Sequence, residues 1–436
     1  MSFDGFWKRS LYWANDLLHG GTIWNIRKDI ASVLSDYEAG KKKQQVKLDE
    51  LLDWATKNSS FYSSYAGKKL PDFPVVNKLI LVENHDANCI PKEKLPWQQG
   101  DIFIQRTSGS TGVPFAVPQD TRKRQRRIGA LKYFNDTVGF KSHEKLGQCR
   151  IWTKWHDKSK KQIFFENIYP IQVAKLDDEK TADLVATIKE KKLFALRAYA
   201  SWYDYLLDYL KRGKCTKEDL KSLKVCLSIS EALNPATKEE MLKLTGIPIV
   251  ETYADEEAGT LAHQKLNSNN FYLNHADYVI ECLKMDADEP AEYGELGRIV
   301  ITDLYNYSFP MIRYDTGDTA IFHEGTKESN GWPYIEKLFG RKMDIIYDTD
   351  GNPVHPMNFG RTLKNFDTIR QWQFVQNDQF KYTVKLEVTD NSQLDSIMSE
   401  VKSIIGENAD VSIELVDVIP LLTSGKRKPV VCEWKR

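Results

Sequence analysis

Between residues 100 and 250 the chain switches repeatedly between short strand-like runs and longer stretches with helical periodicity, and no other feature restricts its fold so strongly. Ile102 to Gln105 reads as a strand and leads into a loop of glycine, serine and threonine. A charged helix is predicted over 121–137 and a strand through Arg150-Ile151-Trp152. Helices at 178–191, 201–212 and 235–244 then alternate with strands at 193–199, 223–229 and 247–252. Such alternation is satisfied by parallel strands joined through helices that cover the sheet faces. The fold class is therefore α/β, and ligands of such sheets sit at loops beyond the carboxyl ends of the strands.

The flanking regions have different patterns. Residues 25–57 read as helical, with Val46, Leu48, Leu51, Leu52 and Ala55 recurring at three- and four-residue steps. The run Lys41-Lys42-Lys43 is a solvated face or turn. Near the N-terminus, Phe3, Phe6, Trp7, Leu11, Ala14, Leu17 and Leu18 also fall at helical spacing. A stripe of this kind can lie weakly on a membrane surface, but docking against the protein's own core is the expectation. Residues 271–339 alternate in the manner of an antiparallel, barrel-like region, as in Tyr278-Val279-Ile280-Glu281-Cys282. Strands near 369–376, 380–388 and 411–418, with helices at 356–366 and 392–405, indicate a small α+β unit. The expected architecture is a large N-terminal domain, residues 1–340, of parallel sheets with helices plus a distorted β-barrel. A small mobile C-terminal α+β domain, residues 341–436, follows a hinge at 340–345.

Composition narrows the partners. Lysine plus arginine and aspartate plus glutamate number 61 each, so no basic surface for nucleic acid is expected. The six cysteines lie far apart without a C-x-x-C pair, the pattern of reduced thiols in a cytoplasmic protein. No apolar run is long enough to cross a bilayer. Asp4, Lys8, Arg9 and Asp16 interrupt the N-terminus, so no signal peptide is expected.

The loop Thr107-Ser108-Gly109-Ser110-Thr111-Gly112 is the sharpest local signal. Its glycines let backbone N–H groups approach an anion, and its four hydroxyls add donors for phosphate oxygens. No lysine ends it, so it is not a Walker-type loop. On its own it reads equally as a flexible turn or as a phosphate cradle.

Four later segments, in order, remove that ambiguity: Ser228-Ile229-Ser230-Glu231-Ala232, Thr252-Tyr253-Ala254-Asp255-Glu256-Glu257, Pro310-Met311-Ile312-Arg313-Tyr314-Asp315-Thr316-Gly317-Asp318, and Phe339-Gly340-Arg341-Lys342-Met343-Asp344. A tail segment, Leu422-Thr423-Ser424-Gly425-Lys426, and an early one, Asp72-Phe73-Pro74-Val75-Val76-Asn77-Lys78, complete the set. Together they resemble the adenylate-forming superfamily of acyl-CoA synthetases and adenylation domains. Within it the chain is similar to the short phenylacetate–CoA ligase branch, which includes the CapK-like proteins of capsular polysaccharide clusters. The likeness runs from about Phe61 to the end.

The resemblance implies a role for each segment. Thr107, Ser108, Gly109, Ser110, Thr111 and Gly112 would hold phosphates, and Ser230, Glu231 and Ala232 would meet adenine. Tyr253 would stack on the purine and Glu257 would bind Mg²⁺, although by residue type Asp255 and Glu256 remain open as the metal ligand. Asp318 would accept both ribose hydroxyls, since an ionised carboxylate has two acceptor oxygens. Arg341 would reach ribose or phosphate. Met343 stands where the family carries its usual hinge acid, and only Asp344 remains. Lys426 would bridge the attacking carboxylate and the α-phosphate. The acyl pocket would form near Tyr199, Ser201 and Trp202.

The implied reaction joins a small carboxylic acid to AMP, with ATP and Mg²⁺ as cofactors. The acceptor of the acyl group would be coenzyme A, or an amine on a sugar or carrier in surface-polysaccharide assembly; the altered hinge strand favours the second. The third reading is a catalytically silent nucleotide-binding homologue, against which Asp318, Glu257 and Lys426 stand.

Overall fold

The structure is a computed structural model of the chain, described over residues 3–106, 115–150, 159–172, 177–341, 346–354, 356–363, 365–420 and 428–434. Three helices open it: α1 (Phe3–Leu18), α2 (Thr22–Leu34) and α3 (Tyr37–Asn58). The helical region expected over 25–57 consists of two helices. Asp36 causes the break: its side chain accepts the Ala39 N–H at 2.7 Å and starts α3 as an N-cap. Short helices α4 (Lys78–Glu83) and α5 (His85–Asn88) precede the hairpin β1 (Phe103–Arg106) and β2 (Ala116–Gln119), and α6 (Thr121–Thr137) follows, capped by Asp120.

The alternating region runs through β3 (Leu146–Arg150), α7 (Lys160–Glu166), β4 (Ile168–Gln172), α8 (Asp178–Lys191), β5 (Ala195–Tyr199) and α9 (Ala200–Lys211). It continues with α10 (Lys217–Leu220), β6 (Val225–Ile229), α11 (Pro235–Thr245) and β7 (Ile249–Asp255). Six antiparallel strands come next: β8 (Gly259–Gln264), β9 (Phe271–Leu273), β10 (Tyr278–Leu283), β11 (Leu296–Asp303), β12 (Tyr314–His323) and β13 (Tyr334–Arg341). The last elements are β14 (Ile346–Tyr347), β15 (Pro353–Val354), α12 (Pro356–Leu363), β16 (Ile369–Asp378), β17 (Lys381–Val388), α13 (Leu394–Ile405), β18 (Asp410–Leu415) and β19 (Val430–Cys432).

The chain divides into two compact units. One comprises residues 1–144, 164–167 and 250–338. Its strands lie in the order β10-β11-β12-β13-β9-β8-β7, and their inner faces bury Leu261, Tyr278, Ile299, Ile301, Tyr314 and Ile335. α2 crosses α6 closely at Gly129, where an added Cβ would come within 2.3 Å of Ile26 Cγ2. Beneath α6, Lys123 forms a fully enclosed ion pair with Asp303, and Arg126 pairs with Asp277 and with Asp29. An enclosed charge is tolerated only when so partnered.

In the same unit α1 departs from expectation. The stripe expected to dock on the core faces outward: Phe3 is 85% exposed and Leu18 84%. Gly5 and Lys8 are the residues it buries. The reason is electrostatic anchoring. Lys8 Nζ pairs with Asp4 at 3.1 Å and donates to Asn167 Oδ1 at 3.0 Å, while Arg9 pairs with Glu144 at 3.3 Å.

The other unit comprises residues 145–163, 168–249 and 339–436. Its parallel strands lie in the order β6-β5-β3-β4, as the alternation required. Leu184, Ile188, Leu196, Trp202, Leu206 and Met241 fill the space between these strands and α8, α9 and α11. A second sheet, β18-β17-β16-β19, packs Phe374, Tyr382, Val384 and Leu386 against Ile397, Val401 and Ile405 of α13. These three α13 residues recur every four positions, and on β17 the buried residues alternate, so both periodicities meet in one small core.

Candidate active site

A bulge shapes the segment around Asp318. Val300 pairs with Asp315 and Arg298 with Thr319, so Thr316, Gly317 and Asp318 stand opposite the single residue Ile299. Bulges of this kind re-aim side chains beside functional sites. Gly317 has φ +77°, a value that an L side chain adopts with strain, and its N–H bonds Asp315 Oδ1 at 2.8 Å. Thr316 Oγ1 donates to Ile299 O at 3.0 Å and accepts the Asp318 N–H at 3.1 Å. Asp315 is held in turn by Arg298 at 2.7 Å. Arg313, buried in the left-handed region at φ +50°, donates to Pro71 O and Phe73 O and pairs with Glu281. The early Asp72–Lys78 segment is thereby fastened alongside β12, and Val76 bridges Tyr314 in parallel.

Two tyrosines then cross-link this strand to the acidic turn after β7. Tyr253 OH donates to Asp318 Oδ2 at 2.9 Å and lies 3.4 Å from Thr316 Oγ1. Tyr314 OH donates to Glu257 Oε1 at 2.9 Å. Each strand supplies one tyrosine and receives the other's hydroxyl on its carboxylate. Burial, and after it the charge of Asp318, raises the Tyr253 phenol well above its ordinary range, so it remains a donor.

The acidic turn itself is pinned from several sides. Gln119 Nε2 donates to Glu257 O at 2.9 Å, Arg127 Nη1 to Glu256 O at 2.7 Å, and Tyr278 OH to Ala258 O at 2.7 Å. Gln105 Nε2 takes the Glu256 carboxylate at 2.9 Å and holds it on the exposed side. Of the three consecutive acids, Glu257 is bound to the β12 segment that carries Asp318. Gln105 and Gln119 lie on β1 and β2, the strands on either side of the hydroxyl- and glycine-rich segment, and Phe115 tilts against Tyr314 at 6.3 Å. Residues 107–112 themselves lie outside the described residues, as does Lys426.

The remaining candidates belong to the other unit. Ser230 follows β6 with φ +69°, and Glu231 Oε2 accepts the Ser201 N–H at 2.9 Å at the start of α9. Tyr199 and Trp202 pack in the hydrophobic cluster beneath that helix. The hydroxyls of Ser201 and Ser228 are buried without a hydrogen-bond partner among the described residues. Arg341 ends β13.

A single carboxylate suits Mg²⁺, which keeps most of its shell for water and phosphate oxygens. Glu257 fits: Tyr314 orients it through one oxygen, and its other oxygen has no hydrogen bond from the described residues. Among the described residues no cluster of three or more histidine, cysteine, aspartate or glutamate side chains could cage a metal.

Tyr314 and Thr316 received no role from the sequence, yet with Asp318 they occupy alternate positions of one strand and are all buried. That two-residue period was the available signal. Gln105 and Gln119 carried none, because their partners are distant in sequence.

A family model described as AMP-binding enzyme matches residues 28–303, and one described as CapK C-terminal domain matches residues 346–433. Protein CapK of Staphylococcus aureus is 21% identical over 413 residues, covering 88% of this chain and 87% of its own. A 2-hydroxyisobutyryl-CoA ligase in its postadenylation state, bound to an acyl-AMP, superposes with a TM-score of 0.72 at 17% identity, covering 92% of this chain and 90% of its own. ATP-bound MatB from Rhodopseudomonas palustris superposes at 0.55 with 16% identity, covering 74% and 66%. With the AMP-binding enzyme match spanning more than half of its residues, the chain belongs to the AMP-binding enzyme family and has the fold of adenylate-forming ligases.

Proposed function

We propose that the protein activates a carboxylic acid as its acyl-adenylate and passes the acyl group to an acceptor. The observation that carries this reading is the pair of crossed tyrosine–carboxylate bonds, which sets a diol-binding acid, Asp318, and a cation-binding acid, Glu257, in one rigid frame. In the first step a substrate carboxylate oxygen attacks the α-phosphorus of ATP, the bond to the β-phosphate breaks, and pyrophosphate leaves. Two anions must meet, so the protein's task is positioning and neutralising charge. Asp318 orients the ribose. Bound at Glu257, Mg²⁺ would supply charge neutralisation at the phosphates. We assign the phosphate cradle to Thr107–Gly112, adenine contact to Ser230–Ala232 and Tyr253, and the cation at the reacting oxygens to Lys426 and Arg341. A mobile lysine suits a step that needs it only once. We place the boundary between the nucleotide-binding domain and the smaller domain at residues 340–345; the CapK C-terminal match, which begins at residue 346, supports it.

In the second step a nucleophile attacks the acyl carbon and AMP leaves. We propose an amine acceptor in surface-polysaccharide assembly, supported by the CapK C-terminal match and the Staphylococcus relative. Thiol transfer to coenzyme A is the second reading, favoured by the fold shared with a CoA ligase. Carboxylate-dependent exchange of labelled pyrophosphate into ATP, across aryl, fatty, hydroxy and amino acids, tests the first step. Exchange with at least one acid is expected; silence with all of them while ATP still binds would overturn catalysis. Loss of free thiol on adding coenzyme A then separates the two acceptors.

A further inference from the structure

Asn234 joins two parts of one unit that lie 126 residues apart in sequence. It starts α11 as the N-cap, where its Oδ1 accepts the Ala236 N–H at 3.1 Å. Its Nδ2 is turned to α12 and donates to Gly360 O at 3.0 Å. One side-chain amide thus serves two helices. The ends it joins are complementary. The N-terminus of α11 carries unbonded N–H groups and partial positive charge, and Gly360 is among the last four residues of α12, whose carbonyls have no partner within the helix. Gly360 makes the approach possible. Glycine is a poor helix former, yet it stands inside α12 and is buried. A Cβ there would stand 3.2 Å from Asn234 Nδ2 and 3.3 Å from its Cγ, so α12 lies flat on the amide because no side chain intervenes.

What this joint connects bears on the chemistry. On one side, Asn234 follows the segment Ser230-Glu231-Ala232 after one intervening residue, Leu233, which is sunk in the hydrophobic cluster of the parallel strands. That segment is the one assigned to adenine. On the other side, Phe359 and Leu363 of α12 pack in the core that β16, β17 and α13 also fill. Lys426 belongs by sequence to this small fold, between β18 and β19. A contact that fixes α12 beside the adenine segment therefore fixes the fold to which the lysine belongs. On the acyl-adenylate reading, we propose that Asn234 is a positioning residue. It docks the small C-terminal fold for the first half-reaction, and losing its hydrogen bond to α12 slows adenylate formation without weakening ATP binding.

Exchanging one good capping residue for another tests this, since Asn, Asp and Ser start a helix about equally well. Asn234→Ser removes the donor to Gly360. Asn234→Asp also sets a carboxylate against a carbonyl oxygen at a helix C-terminus, where negative charge is disfavoured. With an acid that the wild type accepts, kcat for pyrophosphate exchange should fall roughly threefold in the first variant and roughly tenfold or more in the second. KM for ATP and Tm should stay near wild type in both. Gly360→Ala should also slow exchange while Tm holds or rises, because alanine is the better helix former. Hydrogen–deuterium exchange of the α12 amides, measured without substrates, reads the docking itself and should quicken in the order wild type, Ser, Asp. If the three capping residues behave alike in both measurements, Asn234 is only a cap and the proposal falls. If the α12 amides quicken while kcat is unchanged, the positioning role is overturned. A wild type silent with every acid overturns the ligase reading itself, and the positioning role with it, whatever the α12 amides show.

Discussion

Asp318 and Glu257 can be tested separately because different tyrosines hold them. Asp318→Ala removes a charged hydrogen-bond acceptor worth roughly 1.5–3 kcal/mol, so KM for ATP should rise roughly ten- to hundredfold while the fold persists. Tyr253→Phe deletes one neutral-to-charged bond to Oδ2 and should cost about fivefold in the same measurement. Tyr314→Phe leaves Asp318 untouched but releases Glu257, so the Mg²⁺ concentration for half-maximal exchange should rise while the KM for ATP at saturating Mg²⁺ stays near wild type. If both constants moved together in both variants, the division of labour would be wrong. Lys426→Ala should abolish pyrophosphate exchange with ATP affinity nearly unchanged, and a fully active variant would remove it from the chemistry. The resemblance singled out these two acids because the T-G-D and tyrosine-acid segments that carry it are local in sequence. Their holders were not legible, because a hydrogen bond between residues 253 and 318 leaves no local trace.

At the scale of elements, the helix pair α2–α3 offers a packing test. Gly40 on α3 lies so close to its neighbours that an added Cβ would stand 2.7 Å from Trp332 Cζ2 and 2.2 Å from Val33 O. A backbone oxygen cannot step aside, so Gly40→Ala should destabilise by about 1–3 kcal/mol, read as a lower Tm. Trp332 also stacks on His275 at 4.4 Å, and His275 Nε2 bonds Pro333 O at 3.1 Å. Burial lowers the His275 pKa from 6.5 to about 4. The unfolded chain therefore takes up the proton first, and stability present at neutral pH is lost as pH falls from about 6.5 towards 4. The loss amounts to on the order of 3 kcal/mol, and His275→Gln should flatten that part of the profile. The helices at 121–137 and 178–191 were legible, and a polar N-cap, Asp120 or Asp177, opens each of them. The break at Asp36 lay hidden within a continuous apolar period. The outward turn of α1 was illegible in principle: periodicity defines a stripe but not which side of the helix meets the protein, and the partners of Lys8 and Arg9, Asn167 and Glu144, are distant in sequence.

For the whole molecule, ATP should raise Tm by mass action, about 2.7 kcal/mol of added stability at a hundredfold excess over Kd. Asp318→Ala should shift that curve to higher ATP without lowering the starting Tm much. The α/β class and the small C-terminal fold were legible from alternation alone, whereas the division into units was not, because one unit gathers residues 1–144, 164–167 and 250–338. That discontinuity bears on how the protein is made. α6 leaves the ribosome carrying Lys123, whose counter-ion Asp303 has yet to be translated, and both groups are fully enclosed once the unit closes. At roughly 5–20 residues per second, the nascent helix waits many seconds with its inner face unmatched. Truncated chains ending before β11 should accordingly need chaperones to stay out of aggregates.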